Sequence, residues 1–140
     1  MTSLSDFSFI DFRIVKLNFA TNNQFNNQGQ TKVRTEFKIR HESNNDRLKV
    51  FLTIKFNEKT APFSVNLEGI GMFELNRNIT GYELESLCNN HCSMVMFPYM
   101  REVVADISRR AGFPPLHIPQ IDFAQVFNQQ TGEAGVYTLH

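Results

Sequence analysis

The stretch KVRTEFKIRHESNNDRLKVFLTIKF, residues 32–56, alternates apolar and polar side chains on both sides of a polar turn at 43–46. Before the turn the residues of one parity are Val33, Thr35, Phe37 and Ile39; after it they are Leu48, Val50, Leu52, Ile54 and Phe56, and the residues between them are polar except Phe51. A period of two residues is typical of a strand with one buried face. The stretch therefore predicts two strands joined by a short turn, which makes them antiparallel.

Two further stretches have strand character. In residues 7–20 the apolar positions change parity twice, which predicts a β-bulge or a strong twist. The fourth strand begins at Phe63, and we expect Gly69 and Gly71 to interrupt it before residues 72–75. Between the first two strands, residues 21–30 (TNNQFNNQGQ) predict a long loop. Four strands with short connections favour an antiparallel sheet with one face exposed to water.

The second half changes to a helical period. Apolar residues recur along 96–111, opposite charged ones, which predicts an amphipathic helix with Pro98 in its first turn. Residues 84–92 would form either a separate helical piece or a kinked segment that leads into the main helix. Gly112 is expected to end the helix as a C-cap, and the prolines of the connector, residues 112–120, enforce an extended chain. Residues 121–130 predict a second, shorter helix; no prediction is made for 131–140.

The strand and helix patterns together predict an α+β fold: a four-stranded antiparallel sheet followed by two helices packed on one side. The 140 residues fit one domain, 1–140, with the sheet in 1–76 and the helical part in 82–130.

Composition excludes several classes of function. Fourteen basic and fourteen acidic residues balance, so no basic cluster points to nucleic acid or to a membrane surface. No apolar run approaches the roughly 20 residues that cross a bilayer, and the N-terminus does not resemble a signal peptide. Two cysteines favour a reducing compartment, so we expect a cytoplasmic protein.

The candidate for chemistry is the cluster Cys88, His91 and Cys92. Its spacing places three potential zinc ligands within about a turn and a half of helix, but no second ligand pair follows. We favour packing thiols over a metal site, and expect no cofactor. A Cys92 nucleophile with His91 as base lacks a group that would orient the imidazole, so we expect no enzyme.

The second candidate is apolar. Large apolar side chains crowd the connector and the segment after it, where polar residues would be usual: Phe113, Leu116, Ile118, Ile121, Phe123, Val126 and Phe127. They would either pack the second helix onto the sheet or line a groove that proline stiffness keeps open. Phe25, isolated in the polar loop, would lie at the rim. The residues alone leave both readings open.

Residues 92–127 resemble the SecB family of export chaperones. The matching elements are Phe-Pro-Tyr-Met-Arg-Glu at 97–102, Gly-Phe-Pro at 112–114 and Asp-Phe-Ala-Gln-Val-Phe at 122–127. They occur in the family's order and at nearly its spacing, and they cover about a quarter of the chain strongly. The N-terminal half agrees in layout rather than in residues.

The resemblance implies an ATP-independent holdase, a chaperone that binds unfolded polypeptides, its clients, in apolar grooves. It implies a homotetramer built as a dimer of dimers, with precursors for export as clients. The groove residues it implies are Phe25, Phe113, Leu116, Ile118, Phe123 and Phe127.

Partner binding is where the chain departs from the family's pattern. The family docks the translocase motor SecA through acidic residues, but the matching positions here are Ala20 and Asn66, which weakens that expectation. One alternative is a SecB-like chaperone dedicated to a single client such as an antitoxin. An alternative from a different class of protein is a small-molecule or lipid-binding module. In such a module the apolar residues would line a closed cavity rather than an open groove.

Overall fold

The computed structural model describes residues 6–22, 33–56, 62–119, 121–123 and 134–139. The elements follow in the order β1 (Phe7–Thr21), β2 (Val33–Asn44), β3 (Arg47–Phe56), β4 (Phe63–Leu75), α1 (Gly81–Leu87), a π-helical turn (Cys88–Cys92), α2 (Ser93–Arg110) and β5 (Ala134–Leu139). The strands form one antiparallel sheet in the order β1-β4-β3-β2-β5. The predicted α+β class, with the helical part on one face of an antiparallel sheet, is confirmed.

The predicted hairpin of β2 and β3 is confirmed, with Asn44 opposite Arg47. Asn45 takes the positive φ of 59° that lets the chain reverse, a conformation that asparagine tolerates. Alternate residues of β3 and β4 are buried, and the pairing places them on the same face as the buried residues of β2. The core lies on that face of the sheet. The charged residues that alternate with the buried ones lie on the opposite face.

The predicted irregularity of β1 is confirmed as two register shifts against β4. One lies between Phe9 and Asp11 and the other between Ile14 and Lys16. Each shift inserts one unpaired residue, which turns the following side chains over to the other face of the sheet. The shifts explain why apolar residues of both parities occur in one strand.

The expectation that glycines interrupt the fourth strand is wrong: β4 runs without a break from Phe63 to Leu75. The glycines serve helix packing instead. A Cβ atom on Gly71 would lie 2.7 Å from Sδ of Met96, and one on Gly69 would lie 2.6 Å from Sδ of Met100. Glycine is required because α2 crosses β4 too closely for any side chain.

The helical part is one continuous helix over residues 81–110, because Cys88 and Cys92 keep right-handed helical backbone angles at the two junctions. The prediction that Pro98 lies in a first turn is therefore wrong. Pro98 lies inside α2, where it leaves the Met94 carbonyl without its usual donor. The π-helical turn inserts extra length and shifts the phase of the apolar stripe, which is why the sequence pattern indicated two pieces.

The sheet has five strands rather than the predicted four. β5 lies in the tail for which no prediction was made, and it pairs antiparallel with β2 from Val33–Leu139 to Lys38–Ala134. The predicted second helix, residues 121–130, lies outside the described residues beyond Phe123.

Candidate functional site

The connector leaves α2 through a glycine turn. Gly112 has a φ of 94° and donates its N–H to the carbonyl of Arg109, while the N–H of Phe113 reaches the carbonyl of Ser108. These two bonds form the Schellman arrangement, and they confirm Gly112 as the predicted C-cap. The connector thus starts from a fixed direction.

Ser108 anchors the middle of the connector. Its hydroxyl is buried and donates to the carbonyl of Ala105 at 3.0 Å, while it accepts the N–H of Leu116 at 2.9 Å. The backbone at Leu116 is therefore tied to the helix by a side chain eight residues earlier. A connector fixed at both Phe113 and Leu116 presents their side chains in one arrangement.

Of the predicted groove residues, Phe113 and Leu116 are half-buried against the core. The Phe113 ring lies 5.2 Å from the ring of Phe63 on β4, centre to centre. Pro114 and Pro115 between them are exposed. These two side chains keep apolar surface in contact with solvent at the edge of the core.

Ile118 and Phe123 lie deeper and are fully buried in the single chain. The Phe123 ring packs edge-on against Phe37 of β2 at 5.5 Å and against Phe97 of α2 at 5.1 Å. In this conformation they are core residues, as the packing interpretation of the connector requires. Phe25 and Phe127 lie outside the described residues.

A larger exposed apolar area lies elsewhere, on what we call the β1–α2 surface: Ile14 and Leu17 of β1 with Tyr99 of α2. These side chains are 48%, 36% and 45% exposed. The register places Ile14 and Leu17 on the helix-bearing face, opposite Gly69 and Leu67. Tyr99 stacks on Phe12 at 5.1 Å and covers the neighbouring part of β1. The sequence showed apolar residues here, but not which of them the helix leaves uncovered.

The cluster of Cys88 and Cys92 contains a different histidine from the one predicted. Cys88 and Cys92 are free and buried, but the histidine beside Cys88 is His41 of β2. A hydrogen bond from the Cys92 thiol, and then His41, lower the pKa of Cys88, while the same bond and burial raise the pKa of Cys92. The ring of His91 instead lies near Phe7, at 6.3 Å.

No group of three or more histidine, cysteine or acidic side chains within the described ranges is arranged to hold a metal ion. None of the described helices has the length and apolarity to cross a bilayer.

The outer face of the sheet carries the positions that the resemblance associates with SecA. Ala20 pairs with Ser64, and Asn66 lies between Asn18 of β1 and Lys55 of β3. The residues at and beside these two positions are an alanine, a serine, amides and a lysine, where a basic partner would require carboxylates, although the next residue of β4 on this face is a glutamate.

The comparisons with known proteins agree with this fold. The family model described as preprotein translocase subunit SecB matches residues 6–134. The protein-export protein SecB of Burkholderia mallei is 39% identical over 82 residues, which are 59% of this chain and 50% of that protein. The protein-export protein SecB 1 of Polaromonas naphthalenivorans is 40% identical over 84 residues, 60% of this chain and 53% of that protein. The matches to these curated relatives thus cover about half of their length.

Among solved structures, a SecB-like chaperone from Mycobacterium tuberculosis, in complex with a peptide from an antitoxin, superposes with a TM-score of 0.72. The match covers 84% of this chain and 92% of that one at 17% identity, which shows a shared fold.

Proposed function

Because this chain belongs to the SecB family of preprotein translocase subunits, we propose that it is an ATP-independent holdase that binds non-native polypeptide segments. The observation that carries the proposal is the pair Phe113 and Leu116, which remain half-exposed on a connector held by Ser108. A stiff apolar surface loses little conformational entropy when a client binds it. No catalytic role is proposed.

The mechanism needs no nucleotide. A client segment that rests on the connector is removed from the pool of chains that fold or aggregate, in proportion to client concentration and affinity. Contact with two half-buried side chains is weak, so we propose that several copies of the site act together. Linked sites raise overall avidity without any new contact.

We propose that the β1–α2 surface joins the copies, in a homotetramer built as a dimer of dimers. Ile14 and Leu17 belong to β1, an edge strand of the sheet. Together with Tyr99 they form an apolar area that association between copies through this edge would cover. The balanced charge of the chain also favours association over repulsion.

Substituting Ile14 with lysine is expected to reduce the native mass to that of a smaller assembly, because a charge would be buried unpaired at the interface. Asn18→Lys is the matched control, since Asn18 is exposed on the other face of the same strand. Native mass spectrometry of both variants and the wild type measures the result. A wild-type monomer, or an unchanged mass for Ile14→Lys, contradicts the proposal.

For the clients, we propose unfolded precursors for export, as the names of the curated relatives suggest. The alternative, a dedicated client, is supported by the M. tuberculosis chaperone, which was solved with an antitoxin peptide. Polypeptides that co-purify from the host distinguish the two: many precursors support the first, and one recurring protein supports the second.

Since Ala20 and Asn66 lack carboxylates, transfer to SecA through an acidic surface is not part of the proposal. We propose a cytoplasmic location, which two free thiols support.

Substituting Phe113 or Leu116 with serine is expected to weaken client binding about tenfold, because each removes roughly 1–2 kcal/mol of apolar contact. The control is His117→Ser, an exposed residue of the same connector. Affinity for a fluorescently labelled, permanently unfolded protein measures the effect, with native mass as a check on assembly.

Full client affinity in both apolar variants, at wild-type mass, would contradict the assignment of the connector. A lipid or small molecule in an organic extract of the purified protein, together with no affinity for unfolded protein, would instead support the closed-cavity alternative.

A further inference from the structure

The π-helical turn between α1 and α2 is held by a serine side chain. The N–H of Ser93 bonds to the carbonyl of Cys88, five residues earlier, so the carbonyl of Asn89 lacks the N–H that it would accept in an α-helix. The hydroxyl of Ser93 donates to that carbonyl instead, at 2.6 Å. The extra residue of the turn is thus compensated within the helix, which fixes the turn in place.

The turn brings two thiols together. Cys88 and Cys92 lie four residues apart, and both side chains are buried. Residues four apart in an α-helix have Cβ atoms about 5–6 Å apart, whereas a disulfide needs about 3.5–4.5 Å. A π-helical turn closes its hydrogen bonds over five residues, so it is wider and rises less per residue, which shortens this separation. The two thiols form a hydrogen bond, so their sulfur atoms are already in contact.

The two sulfurs differ in how readily they ionise. The Cys92 thiol and, from β2, the imidazole of His41 both form hydrogen bonds with the sulfur of Cys88. These bonds outweigh burial and the nearby carboxylate of Glu85, and they lower the pKa of Cys88 to about 6. The bond between the thiols and burial raise the pKa of Cys92. The pair therefore combines a sulfur that ionises near neutral pH with a neighbouring thiol that keeps its proton.

His41 lies between this pair and solvent. Cys88 is only 1% exposed, but the imidazole that contacts it is half-buried and so reaches the surface. Rotation of this one side chain would open the sulfur of Cys88 to a molecule about as small as water. A small oxidant thus has a route to the sulfur that needs no unfolding of the helix.

We propose that Cys88 and Cys92 are a reversible redox pair, which a small hydroperoxide oxidises to a disulfide within one chain. The Cys88 thiolate attacks one oxygen of the hydroperoxide, the O–O bond breaks, and the leaving oxygen takes up a proton, so that Cys88 becomes a sulfenic acid. The sulfur of Cys92 then attacks the sulfur of Cys88, the S–O bond breaks, and the hydroxide leaves as water with the Cys92 proton. In total the two thiols lose two protons and two electrons, and hydrogen peroxide is reduced to two molecules of water.

The disulfide would fasten the two ends of the π-helical turn to each other and replace the hydrogen bond between the thiols. In the proposed cytoplasmic location the pair is normally in the thiol form, and disulfides that form in such a compartment are usually transient and respond to oxidants. Thiol reductants would restore both thiols. The redox pair does not depend on client binding, so it stands or falls separately from the proposed holdase function.

Reaction of the folded wild-type protein with dilute hydrogen peroxide tests this. After removal of peroxide with catalase and unfolding in urea, the remaining thiols are alkylated and counted in the tryptic fragment 78–101, which contains both cysteines. Counting thiols is preferred to total mass, because the methionines of this fragment also take up oxygen. We expect both thiols to be lost together, the chain to remain single on a non-reducing gel, and dithiothreitol to restore both thiols.

If both thiols persist in the folded protein, while the urea-unfolded chain loses them under the same treatment, they are inert packing residues and the proposal is overturned. A disulfide between two chains on the gel also overturns it. So does a loss of thiols that dithiothreitol does not reverse, because oxidation would then have passed the sulfenic acid without forming the disulfide.

Two variants, checked for folding by circular dichroism, assign the roles of the two sulfurs. In Cys92→Ser, Cys88 has no thiol to react with, and we expect a sulfenic acid that dimedone labels. In Cys88→Ser, we expect Cys92 to lose its thiol at least about tenfold more slowly than the wild-type pair, because it is buried and ionises poorly. Loss at the wild-type rate in Cys88→Ser, or no dimedone label in Cys92→Ser, counts against Cys88 as the sulfur that peroxide attacks.

Discussion

Substituting Gly71 with alanine is expected to destabilise the protein by about 1–3 kcal/mol, although alanine is the better residue for a strand interior by about 0.5–1 kcal/mol. The new Cβ would lie 2.7 Å from Sδ of Met96 and 2.8 Å from the ring of Phe73. Both neighbours are almost wholly buried, so neither side chain has free space to move into. Steric overlap therefore exceeds the gain in strand propensity. Urea unfolding followed by circular dichroism measures the change.

Met96 allows a sharper form of this experiment. Met96→Ala alone leaves a cavity and is expected to cost about 2–5 kcal/mol. In the double variant the alanine at position 71 occupies part of that cavity, so the double variant should be more stable than the sum of the single effects by at least about 1 kcal/mol.

Ser64→Ala, on the outer face of the same strand, is the matched control and should change stability by less than about 0.5 kcal/mol. Additive effects of Gly71→Ala and Met96→Ala would show that helix α2 is not held against Gly71.

Substituting Phe123 with alanine is expected to cost about 3–5 kcal/mol in the free energy of unfolding. The ring is fully buried and touches β2 through Phe37 and α2 through Phe97. Its loss removes apolar contact on both sides and an edge-to-face pair on each. Unfolding at one fixed protein concentration measures the effect, because the proposed assembly would make the stability concentration-dependent.

A milder substitution, with leucine, separates two roles for Phe123. If it is a core residue, Phe123→Leu should lose stability while client affinity, measured on the folded fraction, stays within about twofold of wild type. The comparison variant is Leu116→Ser, for which the opposite pattern is expected: a loss of affinity with less effect on unfolding. If Phe123→Leu lowers client affinity without loss of stability, Phe123 belongs to the client-binding surface.

For the connector, the residue pattern left two interpretations, and burial assigns its members differently. Ile118 and Phe123 pack in the core, while Phe113 and Leu116 keep exposed surface. All four have large apolar side chains, so composition does not distinguish them. What separates them is the bond between Ser108 and the N–H of Leu116, together with the turn at Gly112. The pairing of Ser108 with a backbone group eight residues later has no signature in the sequence.

Local patterns by themselves determined the presence of the first four strands, the irregularity of β1, the hairpin around Asn45 and the C-cap at Gly112, because each depends on neighbouring residues through alternation or a required φ angle. Tertiary structure decided the rest. Gly69 and Gly71 remain within one strand because α2 lies directly on them, and His41 rather than His91 lies beside Cys88 because β2 runs under the π-helical turn. The exposure of Ile14 and the pairing of β5 with β2 likewise depend on which distant elements cover them. Such contacts join residues far apart in the chain, and no local period encodes them.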